Sequence, residues 1–341
     1  MSTLLCADPK RIERLAAPFK ETRALFKHSH SIAYRFWWMF RHQFKPFYFT
    51  DVPTWRFALR SLASHRRVLP DFAIIGAVRS GTSALSQYVL QHPCIVLPIA
   101  KEPNFKGVSR REILAAFPLK SQLETARRTY GAAMTGYCVP TLPVLWWPRM
   151  AHAMQPDLKV VVILRDPVAR TFSHWRWDLM GRALWVRNPE WDRFPDFDET
   201  MRLELASVRE GGSGFRPFSG AGAGYAVESI YLPFIRVLFE TFTRERVKVM
   251  NASAFFADPV ATTVSVYRFL GLPDYTPVGV QEINASEPGE LSGTMRQKLL
   301  EFFEPYNRQL YAFLGEDFGW DGCERAPGGG GCHVPAPASR S

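Results

Sequence analysis

Residues 72–89, FAIIGAVRSGTSALSQYV, constrain this chain more than any other stretch. A short apolar run rich in β-branched residues ends at Gly76, a loop holding a second glycine follows, and the segment from Thr82 carries a helical pattern. Strand, glycine loop and helix in that order open a parallel α/β sheet. Further strand candidates are CIVLP (94–98), KVVVILRD (159–166) and VKVMNASAF (247–255), the last after a helix over about 231–242. The unbroken apolar run of KVVVIL fits a strand buried on both faces. The expected fold is α/β, a P-loop-like doubly wound parallel sheet flanked by helices, with one main domain over 70–321. Ligands of such sheets gather at the carboxyl ends of the strands.

On either side of that domain the composition shifts. Residues 1–69 form a basic, aromatic leader that reads as largely helical and includes SIAYRFWWMFRHQFKPFYF from Ser31 to Phe49. That segment either packs on the main domain by its aromatic face or lies on a membrane surface with Arg35, Arg41 and Lys45 at its edges. GGSGFRPFSGAGAGY, from Gly211, reads as a mobile loop near a site or as an ordinary linker. The tail, 322–341, carries the glycine and proline content of a disordered segment.

A chain of 341 residues with 47% hydrophobic content can bury a full core. A formal net charge of +10 favours an anionic partner, without choosing among nucleotide, polyanionic saccharide, nucleic acid and anionic membrane. Five scattered cysteines, Cys6, Cys94, Cys138, Cys323 and Cys332, do not describe a disulfide-stapled secreted domain and predict a reducing compartment. No run of about 18 apolar residues occurs, and the amino terminus lacks the layout of a signal peptide. The expectation is a cytoplasmic protein, soluble or peripheral on the inner membrane surface through its leader.

The loop carries the chemistry. Backbone N–H groups and the positive end of a helix suit a phosphate. A nucleoside triphosphatase places lysine after the second glycine of G-x-x-x-x-G-K-[ST]. Here Thr82 stands at that position, followed by Ser83, and the only basic residue in the loop is Arg79. A P-loop kinase would therefore lack its main charge clamp. The arrangement suits a nucleotide with a shorter 5′ group whose transferring part lies beside Arg79.

FAIIGAVRSGTSAL resembles the 5′-phosphosulfate loop of sulfotransferases that use 3′-phosphoadenosine 5′-phosphosulfate (PAPS), in the branch of bacterial carbohydrate and heparan sulfate enzymes. Three more stretches extend the resemblance over about residues 71–320. AKEPNFK is similar to the family's K-E-x-x-F element, which implies Glu102 as the general base on the acceptor. VVVILRDPVARTFSHW resembles the 3′-phosphate element, which implies phosphate contacts from Arg165 and Ser173. MRQKLLEFFEPYNRQLYAFLGEDFGW is similar to the closing helix and F-x-W ending. The resemblance implies PAPS bound by Arg79, Ser80, Gly81, Thr82, Ser83, Arg165 and Ser173, without a metal. It implies transfer to a hydroxyl or amine of a saccharide or glycolipid, catalysed by Arg79 and Glu102, with no nucleic-acid partner.

Spacing agrees with the map: Arg165 directly follows a buried strand, and Ser173 falls about two turns into a helix that starts near Asp166 and Pro167. Other readings remain for single residues. Arg165 suits an ion pair with Asp166, and Glu102 suits a surface pair with Lys101 or Lys106. His174 is a rival base, and Trp146, Trp147, Trp175 and Trp177 suit either sugar stacking or packing. Three departures from the family pattern stand out: Arg79 where many relatives have lysine, Cys138 where heparan-type relatives have lysine, and INASEPGELSG without the basic closing loop. A polyanion- or membrane-binding protein with a degenerate nucleotide site is the non-enzymatic alternative.

Overall fold

In the computed structural model the described residues are 10–11, 52–103, 109–139, 145–185, 195–214, 224–279 and 291–320. Ser31–Phe49, the stretches 104–108, 215–223 and 283–290, and the tail from 321 lie outside them. The chain divides into two compact units. The first takes Met1–Arg165, Ala183–Val186 and Phe234–Ser286, and the second takes Asp166–Arg182, Arg187–Pro233 and Glu287–Ser341. The stretch 70–321, expected as one main domain, contributes to both.

The first unit is built on a four-stranded sheet of β1 (Phe72–Gly76), β2 (Gly136–Val139), β3 (Lys159–Leu164) and β4 (Val247–Asn251). Their order is β2-β1-β3-β4, with every neighbouring pair parallel. Register pairs Ile74 with Cys138 on one side and with Val161 on the other. Residues of both parities along β1 and β3 are buried, so both sheet faces are covered, as their unbroken apolar runs predict. On one face, Phe72, Ile74, Val161 and Ile163 join Leu85 and Val89 of α2 (Thr82–Val89) and Val266, Tyr267 and Leu270 of α10 (Pro259–Leu270).

Two strand expectations change. CIVLP forms no strand: Cys94 and Ile95 are fully buried, but the segment joins its neighbour only through an isolated bridge from Ile95 to Met134. Prolines at 93 and 98 remove N–H donors at its two ends, so burial is achieved without a ladder. The position beside β1 goes to GYCV, β2, whose glycine and short length hide it from pattern reading. VKVMNASAF splits into β4 and the helix α9 (Ala252–Ala257), where the Asn251 side chain accepts from the Ser253 amide as an N-cap.

Other helices of the first unit include α1 (Thr54–Leu62), α3 (Arg110–Ala116), α4 (Lys120–Tyr130), α5 (Trp147–Met154) and most of α8 (Leu232–Thr241). The helix α6 (Pro167–Trp185), most of which belongs to the second unit, starts at the predicted proline with Asp166 Oδ1 accepting from the Val168 amide at 2.8 Å.

The second unit packs α6 with α7 (Phe197–Arg209) and α11 (Gly293–Leu314) around Val168, Trp175, Met201, Leu205, Leu299 and Phe303. Phe318 and Trp320 of the F-x-W ending are buried, and the Trp320 amide donates to Tyr311 Oη at 3.1 Å. Buried Glu204 holds a turn of this unit, its Oε1 accepting from the amides of Ala226 at 2.7 Å and Val227 at 3.0 Å. Its Oε2 is buried without a partner. Burial pushes the Glu204 carboxyl up to about 7, against the pull of those amides and Arg170.

Because the folded state binds this proton more tightly than the unfolded chain, stability from Glu204 is full at low pH and is lost as pH rises from 4.5 to about 7. Urea unfolding of the wild type should therefore lose up to about 3 kcal/mol between about pH 5 and about pH 8 through this group. Glu204→Gln keeps an oxygen for both amides and should flatten that part of the profile. An identical profile in the two proteins would refute the assignment.

Candidate active site

At the carboxyl end of β1 the chain turns through Ala77–Gly81, with the Ser80 amide on the Ala77 carbonyl at 3.1 Å. Arg79 has φ 69° and is the only non-glycine residue in the left-handed region among the described residues. Such a conformation costs on the order of 1–3 kcal/mol and is kept where surrounding contacts impose it. Here Arg165, at the end of β3, donates from Nη1 to the Arg79 carbonyl at 3.0 Å. Gly81, at φ 91°, forms the N-cap of α2, and a Cβ there would lie 2.8 Å from the Phe256 ring.

No side chain caps α2, so the amides of its first turn are left to another acceptor. Ser80 is fully buried and its Oγ has no hydrogen-bond partner, while Thr82 is buried and Ser83 half-buried. An unsatisfied buried hydroxyl beside uncapped helical amides fits an anionic oxygen group.

Glu102 adjoins this loop. It is buried with Lys101, whose ammonium donates to Glu102 Oε1 and lies 3.4 Å from Ser83 Oγ in the first turn of α2. The alternative of a surface carboxylate does not hold, since Glu102 is one half of a buried ion pair. Lys106, the other partner considered, lies outside the described residues. Burial raises the Glu102 carboxyl above its ordinary value, and the charge and hydrogen bond of Lys101 oppose that shift. The Cys138 amide donates to the Lys101 carbonyl at 2.9 Å, which fastens the segment to β2. Burial pushes the Cys138 thiol up to about 12, so it stays neutral.

The first unit thus brings together Arg79, Ser80, Gly81, Thr82, Ser83, Glu102 and Arg165. Ser173 belongs to the second unit, where it is buried on α6. His174, the rival base, is also buried there, with Nδ1 3.3 Å from Glu228 Oε2 and its ring edge-on to Tyr225. Arg170, fully buried one turn earlier, donates to Ser229 Oγ at 2.7 Å and to the Tyr225 carbonyl. These contacts give His174 and Arg170 a role in holding the 225–229 turn.

Of the tryptophans, Trp147 and Trp175 are buried, Trp175 stacking on Phe172, and Trp146 is exposed at the start of α5. A groove of about 780 Å³ in the second unit is lined by Arg202, Arg209 and Lys298 together with Asp198, Glu199 and Glu301, and holds none of the predicted site residues.

Two neighbours of the site escaped sequence reading. Phe256, half exposed, covers Gly81. The signal was the FF doublet just past a strand's carboxyl end, since adjacent helical residues cannot both face the core. Lys101 was visible only as a possible surface partner, because neighbouring side chains of an extended segment point apart.

No family model matches the chain. It is similar to human heparan sulfate glucosamine 3-O-sulfotransferase 6, 24% identical over 285 residues covering 75% of each chain. Mouse heparan sulfate glucosamine 3-O-sulfotransferase 3A1 is 25% identical over 285 residues, 74% of this chain and 65% of that one. Among solved structures, a sulfotransferase from Alicyclobacillus acidocaldarius superposes with a TM-score of 0.52 at 24% identity, covering 74% of this chain and 99% of that chain. The chain thus shares the fold of that sulfotransferase and is similar in sequence to the heparan sulfate sulfotransferases.

Proposed function

We propose that this chain transfers the sulfuryl group of PAPS to a hydroxyl or amine of a saccharide-containing acceptor, with Glu102 as the base. The observation that carries the reading is the tie between loop and carboxylate: Lys101 reaches both Ser83 of the loop and Glu102. The buried Ser80 hydroxyl, the left-handed Gly81 and the uncapped amides from Thr82 onward fit the 5′ end of the nucleotide.

Bound PAPS supplies a sulfuryl group whose S–O bond to the 5′-phosphate breaks, its electron pair leaving with the phosphate, as the acceptor atom bonds to sulfur. Glu102 takes the acceptor's proton. Arg79 stays charged at neutral pH, so it stabilises negative charge beside the loop and gives up no proton. Arg165, at the carboxyl edge of β3, is assigned to the 3′-phosphate while its Nη1 holds the loop through Arg79. For Ser173 the sequence pattern alone supports the 3′-phosphate role.

Glu102→Gln should lower kcat/KM for labelled-PAPS transfer by about 10²–10⁴-fold. Its affinity for 3′-phosphoadenosine 5′-phosphate in calorimetry should be retained. Full transfer by that variant to saccharide acceptors would sink the base assignment. Tighter binding of ATP, dependent on magnesium, would instead favour a kinase. Arg165→Ala should weaken 3′-phosphoadenosine 5′-phosphate by about 10- to 100-fold, the scale of one charged hydrogen bond. Adenosine 5′-phosphate should lose less. Equal losses for both ligands would reduce Arg165 to a support for the loop.

A cytoplasmic location with peripheral contact at the inner membrane surface is proposed for the leader, on the evidence of α1. Trp55, Leu59 and Leu62 are 48%, 59% and 67% exposed at i, i+4 and i+7, and the Arg56 guanidinium lies over the Trp55 ring. The helix, TWRFALRSL, contains no acidic residue. An apolar stripe edged by arginine suits an anionic lipid surface. Among the described residues no helix is long and apolar enough to cross a membrane. Replacing Trp55, Leu59 and Leu62 by serine should abolish co-sedimentation with phosphatidylglycerol vesicles. Undiminished sedimentation would remove α1 from the contact.

A further inference from the structure

We propose that Lys101 is a positioning residue for sulfuryl transfer, its ammonium fixing the Glu102 carboxylate against the first turn of α2 and keeping it charged in a buried setting. The proposal deepens, and rests on, the reading of Glu102 as the base. Lys101 and Glu102 are neighbours in sequence, yet their side chains converge because the chain bends at 99–102. Both are nearly buried, at 4% and 7% side-chain exposure. A carboxylate so enclosed keeps its charge only beside a compensating cation.

Lysine offers a compact point charge, whereas arginine presents a fork that grips both carboxylate oxygens. The ammonium takes Oε1 of Glu102, and the proposal assigns the acceptor's proton to Oε2. The same ammonium is 3.4 Å from Ser83 Oγ, so it links the base to the helix that carries the loop. The Lys101 carbonyl accepts from the Cys138 amide, so the ammonium projects from backbone held on β2. Among the described residues, the titratable groups facing Glu102 are Lys101 on its own segment and the neutral Cys138 thiol on β2. Among the described residues Lys101 alone therefore supplies the opposing charge, and its removal drives the Glu102 carboxyl further up.

The sign follows directly. A base with a higher pKa is ionised only at higher pH, so the acidic limb of the kcat/KM profile moves toward alkaline pH when Lys101 is lost. Lys101→Met in the full chain should shift that limb up by about 1–3 pH units. Its affinity for 3′-phosphoadenosine 5′-phosphate should stay near that of the wild type, while its melting temperature should fall at neutral pH, where the buried carboxylate has lost its cation. Lys101→Arg keeps the charge and the fold but engages both oxygens, so it should hold the limb in place and lower kcat. A residue of merely structural importance would lower activity without moving the limb.

The two readings fail in different ways. If Glu102→Gln keeps the wild-type acidic limb, Glu102 is not the base. If Glu102→Gln loses the limb while Lys101→Met leaves it unmoved, the base reading stands and the role given to Lys101 is wrong. Should Lys101→Met not fold, Lys101→Arg decides: a shifted limb or an undiminished kcat overturns the proposal.

Discussion

The close approach at Gly76 holds the sheet and the loop together. A Cβ at that position would lie 2.7 Å from the Ile163 carbonyl and 2.7 Å from Thr82 Cγ2, so β1 can end against β3 and turn into α2 only with glycine there. The pairing of Gly76 with Ile163 places Arg165 two residues beyond the end of the ladder, from where it reaches the Arg79 carbonyl. On the other side, Ile74 pairs with Cys138, whose amide holds the Lys101 backbone. Three parallel strands in fixed register thus deliver a strained loop, a guanidinium and a buried ion pair to one sheet edge. The site depends on register more than on any single side chain, because a slip by one residue reverses every strand side chain.

How much of this was legible follows from the kind of signal each part leaves. FAIIG and KVVVIL are buried on both faces and bounded by loop residues, so composition alone marks them. GYCV is equally buried, but four residues with one glycine carry no period. CIVLP shows the opposite case, since apolar content reports burial and only backbone pairing makes a strand. The proline after Asp166 marks the start of α6, and with it the position of Ser173 along that helix.

The site was legible as residues and illegible as geometry. Arg79 could be named from the loop, but its left-handed backbone is imposed by a strand far away in sequence. Glu102 could be named from the resemblance, whereas its burial follows from the bend at 99–102 and the anchor on β2. Arg170 and Glu204 were missed for a related reason. Each lies on a helix at a position that pattern reading assigns to solvent, and each is buried because a turn between 224 and 229 supplies its hydrogen-bond partners.

Under the proposed function the loop holds a phosphate without the lysine of a nucleoside triphosphatase, and its electrostatics supply the reason. Thr82 stands at that place and brings a hydroxyl in exchange for a charge. Positive charge instead enters through Arg79 in the loop, while Lys101, from the segment after α2, is committed to the Glu102 carboxylate. Neither is a mobile surface cation, because the Arg79 backbone is pinned by Arg165 and the Lys101 backbone by β2. Cys138 belongs to the same logic. A second lysine there would set two ammonium groups beside one carboxylate in a buried space, and like charges in such a setting oppose one another strongly. A neutral thiol at Cys138 leaves Glu102 with Lys101 as its one cation among the described residues, which is the condition for a carboxylate that is both charged and still able to accept a proton.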